Sequence, residues 1–173
     1  MKKSNITLIG MAGCGKSTVG VLLAKAKNLM FVDTDLIIQQ KYGKYLWEIL
    51  EEEGSEVFLC REEAAICRLQ CEKTCIATGG SVVYSAKAME HLKQLSTMVF
   101  LDVAFEEIER RIADIKTRGV VIAPGRTLRG LFDERRPLYQ AYADLTVNAT
   151  GRTAEEVVEA TLQAVSEAEG EHW

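Results

Sequence analysis

Apolar positions along the chain follow two alternating rhythms. Short runs at Asn5–Gly10, Met30–Val32, Thr74–Thr78, Thr97–Asp102 and Leu145–Val147 have the length and β-rich makeup of buried strands. Between them the spacing turns helical. In Ser17–Ala26, for example, Val19, Leu22, Leu23 and Ala26 share one face. Similar patterns predict helices over 35–42, 46–52, 55–71, 85–94, 105–115, 127–134, 136–142 and 153–168. Strands separated by helices imply βαβ units, hence an α/β fold with a five-stranded parallel sheet and helices on both faces. There is no internal repeat, low-complexity tract or linker, so residues 1–173 read as one domain. Ligands of such sheets bind beyond the carboxyl ends of the strands. Gly10, the Asp33–Asp35 pair and Gly79–Gly80 all fall at such ends.

The segment Gly10-Met11-Ala12-Gly13-Cys14-Gly15-Lys16-Ser17-Thr18 satisfies G-x-x-x-x-G-K-S/T, with a strand before it and a helix after it. Glycines let the backbone wrap around phosphates with its N–H groups turned inward, and the helix adds its positive dipole end. Gly13, Cys14, Gly15, Lys16, Ser17 and Thr18 are therefore the expected nucleotide cradle. Lys16 is placed to reach the β- and γ-phosphates and Ser17 to ligate Mg²⁺. The N-K-x-D motif of guanine readers is absent, and the chain is short for a motor or transporter ATPase. A P-loop with two aspartates after the second strand points to a small-molecule kinase. If the segment stays extended, Asp33 and Asp35 lie on one side, with Asp33 at the Mg²⁺ shell and Asp35 at an acceptor hydroxyl. An aspartate here also suits a helix N-cap.

Composition narrows the picture. With 47% hydrophobic and 27% charged residues the chain is globular, and a net charge of −4 lacks the basic excess of a nucleic-acid or anionic-membrane binder. No window approaches the roughly 18 apolar residues of a membrane span. Met1-Lys2-Lys3 ahead of Ile6–Ile9 resembles the start of a signal peptide, but Gly10, Gly13, Gly15 and Lys16 interrupt it without a small-residue cleavage site. The expectation is a buried first strand in a cytoplasmic, monomeric protein. Cys60, Cys67, Cys71 and Cys75 cluster, yet their spacing is not that of a zinc site, and His91 and His172 are distant in sequence. All five cysteines read as reduced, small apolar residues. Tyr45 and Trp47 at a helix edge read as core residues or, second, as a pocket wall, Glu51–Glu53 as a solvated helix end, and His91 as chemically idle.

Taken together, the P-loop, Phe31-Val32-Asp33-Thr34-Asp35, Phe58 with Arg61-Glu62-Glu63, Ala77-Thr78-Gly79-Gly80 and Glu134-Arg135-Arg136-Pro137-Leu138-Tyr139 resemble the shikimate kinase family over about residues 5 to 165. The resemblance implies a P-loop kinase fold with a substrate-binding helical segment at about 36–62 and a lid at about 116–126. It implies ATP and Mg²⁺ as cofactors and phosphorylation of shikimate to shikimate 3-phosphate. By the same resemblance Asp33 helps hold Mg²⁺, Asp35 takes the acceptor proton, Gly79 and Gly80 lie against the substrate, and Arg135 grips its carboxylate. Arg118 is the lid arginine over the phosphates, and Arg111 packs on adenine. Three positions depart from the family pattern: Leu59 replaces a substrate-binding arginine, Ser81 replaces a third glycine, and Gly119 follows Arg118 where proline is usual. Arg61 is the candidate substitute for the lost arginine, although a two-residue step on a helix turns it roughly 200° away. The departures leave two alternatives: a kinase of another hydroxy acid or hydroxy amino acid such as homoserine, or a nucleotide-binding regulatory protein.

Overall fold

The computed structural model describes residues 3–113 and 125–170. Five strands, β1 (Asn5–Ile9), β2 (Met30–Asp33), β3 (Thr74–Ala77), β4 (Ser96–Asp102) and β5 (Leu145–Asn148), form one sheet in the order β2-β3-β1-β4-β5, with every pair parallel. The helices among the described residues are α1 (Lys16–Lys27), α2 (Thr34–Tyr42), α3 (Leu46–Ile66), α4 (Ala86–Leu95), α5 (Phe105–Ala113), α6 (Leu128–Tyr142) and α7 (Ala154–Glu169). A short 3-10 helix, Val82–Tyr84, precedes α4. Each βα unit uses the expected apolar run. Every residue of β1 and β3 is buried, as befits the inner strands of a sheet covered on both faces. Leu8, Leu23, Ile76, Val99 and Leu101 belong to the main core.

A second, smaller cluster of Ile38, Ile49, Phe58 and Ala65 lies between α2 and α3. This satellite core makes the stretch anticipated at 36–62 a packed helical unit of its own. It also overturns the reading of Tyr45 and Trp47 as core. They are 63% and 44% exposed, stacked on one another with ring centroids 6.5 Å apart, and neither belongs to the α2–α3 cluster.

Other boundaries shift for local reasons. The helices expected at 46–52 and 55–71 are both present, α3 being two helical stretches joined at a kink at Gly54 (φ 82°, ψ 169°), but the second ends at Ile66 and not at 71. Those expected at 127–134 and 136–142 are one helix, because Pro137 is on the exposed side of α6. On that side a missing N–H costs least, because water can satisfy the carbonyl four residues earlier. Cys14 and Cys75 are buried, and burial pushes the Cys75 thiol up to about 12. Cys60 is exposed and Cys67 and Cys71 only half-buried, so of the clustered four only Cys75 behaves as a buried apolar residue. Arg118 and most of the expected lid lie outside the described residues. No described helix is long and apolar enough to cross a membrane.

Candidate active site

The P-loop turns from β1 into α1 through Gly15, whose left-handed backbone (φ 99°) leaves the helix start with no side-chain cap. Its first N–H groups are thus not taken up by a protein side chain, as a phosphate site requires. Lys16, 7% exposed, folds back along the loop, and its ammonium donates to the carbonyls of Gly10 and Met11, each at 2.8 Å. Ser17 Oγ donates to Asp33 Oδ2 at 2.6 Å, which joins the two residues expected to hold Mg²⁺. The donor set, one hydroxyl and one carboxylate beside a phosphate cradle, suits a hard cation that keeps several waters. Arg111 also reaches the loop, donating to the Gly13 carbonyl at 3.1 Å while pairing with Glu107.

Asp33 performs both roles open to it. Its Oδ1 accepts the Asp35 N–H at 3.0 Å as the N-cap of α2, while Oδ2 faces Ser17. The segment does not stay extended: α2 begins at Thr34, so Asp35 stands in the first helical turn and not two residues along a strand. From there its carboxyl enters a buried position, and desolvation, reinforced by Asp33, raises its pKa to about 6.

Asp35 meets the glycine pair. A Cβ on Gly79 would come within 2.9 Å of Asp35 Oδ1 and closer still to Glu62 Oε1. A Cβ on Gly80 would meet Arg135 Nη1 at 3.2 Å and the Ala12 N–H nitrogen at 3.3 Å. A side chain at Gly79 would therefore force the Glu62 and Asp35 carboxyls to shift, and one at Gly80 would need its neighbours to give by a few tenths of an ångström. The turn itself is pinned: the Gly79 N–H donates to Thr34 Oγ1 at 3.2 Å, and Tyr139 OH donates to the Gly80 carbonyl at 2.6 Å. Arg135, 8% exposed, donates through Nε to Tyr84 OH at 3.1 Å and lies over that ring.

The structure thus brings together Gly13, Cys14, Gly15, Lys16, Ser17, Thr18 and Arg111 at the loop, with Asp33 and Asp35 beside them and Gly79, Gly80, Ser81 and Arg135 opposite. Arg61 points elsewhere. It pairs with Glu53 and lies 3.9 Å from the Tyr42 ring centroid, so the helical turn does carry it away from its role as substitute. Sequence reasoning missed Glu62, which is 2% exposed. It accepts from Ser81 Oγ at 2.7 Å, and burial raises its carboxyl to about 7. A signal was available: Glu62 falls one helical turn after Phe58 and one before Ile66, so a carboxylate sits on the core face of α3. Tyr139, one turn after Arg135, follows the same logic.

Comparison with known proteins agrees with this geometry. The shikimate kinase family model matches residues 12–166. A shikimate kinase of Synechococcus sp. is 40% identical over 94% of this chain and 85% of its own length. Among solved structures, the shikimate kinase of Acinetobacter baumannii in complex with shikimate superimposes with a TM-score of 0.90 at 31% identity, covering 96% of this chain and 95% of that one. The enzyme of Aquifex aeolicus does so with a TM-score of 0.83 at 34% identity, covering 96% and 99%. A P-loop, a paired aspartate and a glycine turn held against an arginine thus occur here in a sequence that matches one family from the loop to the last helix, and the chain belongs to the shikimate kinase family of ATP-dependent kinases.

Proposed function

We propose that the protein transfers the γ-phosphoryl group of MgATP to a hydroxyl of shikimate, yielding shikimate 3-phosphate and ADP. The observation that carries this reading is the convergence of Asp35, the Gly79–Gly80 turn and Arg135 beside the P-loop, at the carboxyl edge of the sheet. Asp35 accepts the hydroxyl proton as its oxygen attacks phosphorus and the bond to the bridging oxygen of ADP breaks. With a carboxyl poised at about 6, it is largely ionised at neutral pH. Lys16, Gly13, Cys14, Gly15 and Thr18 hold the phosphates, and Ser17 and Asp33 hold the metal. Mg²⁺, when bound there, supplies charge neutralisation on the phosphates. Arg135 takes the substrate carboxylate through its planar guanidinium. Arg111 borders the base, and Arg118 of the lid segment 116–126 covers the transferring group. The whole acts as a single domain over 1–173, with 36–62 as the substrate-binding segment. This assignment needs no nucleic-acid or membrane partner.

Leu59 and Ser81 favour a second acceptor as the alternative outcome. The test is ADP release with MgATP against shikimate, homoserine, gluconate and no acceptor. Stimulation by shikimate alone is expected. Stimulation by another acceptor, with shikimate inert, overturns the substrate assignment, and acceptor-independent hydrolysis as the sole activity overturns the kinase reading for this chain.

A further inference from the structure

Arg135 is buried, yet among the described residues no carboxylate forms an ion pair with it. Its Nε donates to the Tyr84 hydroxyl at 3.1 Å, and its guanidinium carbon lies 5.0 Å from the centre of the Tyr84 ring. The single proton of that hydroxyl goes to Glu134 Oε1. Burial, and then the bond to Glu134, hold the phenol above its ordinary pKa, so the proton stays on Tyr84. Glu134 is occupied from its other side by Arg126, whose Nη1 donates to both carboxylate oxygens, at 2.9 and 3.0 Å. Tyr84 is itself fixed by the acceptor loop. It closes the 3-10 helix that follows the glycine turn, with Val82 and Val83 buried and its own N–H bonded to the Ser81 carbonyl at 3.0 Å.

We infer that Tyr84 is a positioning residue for Arg135: its hydroxyl fixes the rotation of the guanidinium and, together with Arg126, keeps Glu134 from taking the charge that the acceptor carboxylate needs. The inference deepens the proposed shikimate-kinase function and rests on it. Glu134 is next to Arg135 in sequence, and a direct pair between them would occupy the planar fork that grips a carboxylate. A hydroxyl placed between the two accepts from the Nε edge and leaves the cation unneutralised. Nη1 is then the nitrogen turned to the glycine turn, where a Cβ on Gly80 would meet it at 3.2 Å. A buried cation without a counter-ion is costly, and an anionic acceptor relieves that cost on binding.

The test is a mutant cycle in the full chain with shikimate as acceptor. Tyr84→Phe keeps the ring and removes the hydroxyl. It raises the acceptor KM about tenfold, the value of one hydrogen bond to a charged group, and leaves kcat and the ATP KM unchanged. In an Arg135→Ala background the same substitution changes the acceptor KM by less than about twofold, because Tyr84 acts through that guanidinium. Glu134→Gln added to Tyr84→Phe returns the acceptor KM toward that of the parent, since an amide cannot neutralise Arg135. An unchanged acceptor KM in Tyr84→Phe, losses that add to those of Arg135→Ala, or no return with Glu134→Gln overturns the inference. A readout free of any acceptor separates its failure from failure of the substrate assignment. The proton resonance of the Arg135 Nε–H moves downfield in Tyr84→Phe, as a carboxylate takes the place of the hydroxyl, and back upfield when Glu134→Gln is added. No downfield move in Tyr84→Phe overturns the shielding role even if shikimate proves inert.

Discussion

Lys16 is bound to two P-loop carbonyls, so its ammonium shapes the loop, and in the proposed mechanism it also serves the phosphates. We expect Lys16→Ala to lower phosphoryl transfer by about 10²–10³-fold, the loss usual for one preorganised electrostatic donor, with an unchanged circular-dichroism spectrum. Asp35→Asn keeps the shape and removes the base, and turnover falls by about 10²–10⁴-fold with little change in the ATP KM. Retained turnover in either variant would remove that residue from the chemistry. Glu62 carries a pH prediction. Its carboxyl is held at about 7 against an ordinary 4.5, so between those values the folded protein keeps a proton that the unfolded chain releases. The stability it contributes is full below about pH 4.5 and is lost as pH rises through about 7. In urea denaturation the stability of the parent relative to Glu62→Gln should therefore drop by about 2 kcal/mol between pH 5 and 8. A difference that does not vary with pH would mean that residue 62 does not titrate in this range.

The two helices that carry side chains into the site, α3 and α6, work as elements. In α3 the break at Gly54 lets the chain turn between a first stretch capped near Tyr45 and a second that carries Phe58 and Glu62 inward. Nothing crowds a Cβ at Gly54, yet its φ of +82° with extended ψ is a conformation that only glycine adopts readily. Gly54→Ala should cost about 1–3 kcal/mol in denaturant unfolding from backbone strain alone. An unaltered midpoint would show that the break is free to reshape. In α6, Arg135 and Tyr139 share the buried face, one reaching Tyr84 and the other the Gly80 carbonyl. Arg135→Ala is expected to raise the acceptor KM with little effect on that of ATP. A change confined to ATP would move Arg135 to the nucleotide side.

At the scale of the molecule, the sheet order β2-β3-β1-β4-β5 places β1 at the centre, with its successors on opposite sides. The crevice beyond β1 is where an open α/β sheet leaves room for a ligand. The P-loop leaves β1, Asp33 ends β2, and the glycine turn leaves β3, so three neighbouring strands deliver the site. A ligand bound there stabilises only the folded chain. MgADP at 100 times its dissociation constant should add about 2.7 kcal/mol, seen as a rise in the thermal midpoint, and Lys16→Ala should remove most of that rise at the same concentration. The absence of a rise in the parent would mean that the cradle does not hold nucleotide.

Order of elements, strand identity, the P-loop and the capping role of Asp33 were all legible along the chain, because each depends on residues a few positions apart. Helical and strand periodicities and the Gly-Lys-Ser register are local codes. What depends on distant segments was not legible. The sequence placed Tyr45 and Trp47 in a core to which neither belongs, and it could not assign Arg61, which pairs with Glu53 and lies over Tyr42. Glu62, Ser81, Gly79 and Asp35 are spread over three elements, and only the pairing of β3 with β1 and β2 brings the glycine turn down onto α2 and α3. Local spacing determined which side chains were available. Long-range packing determined which of them lost water together, and it is that shared burial that gives Asp35 and Glu62 their altered acidity.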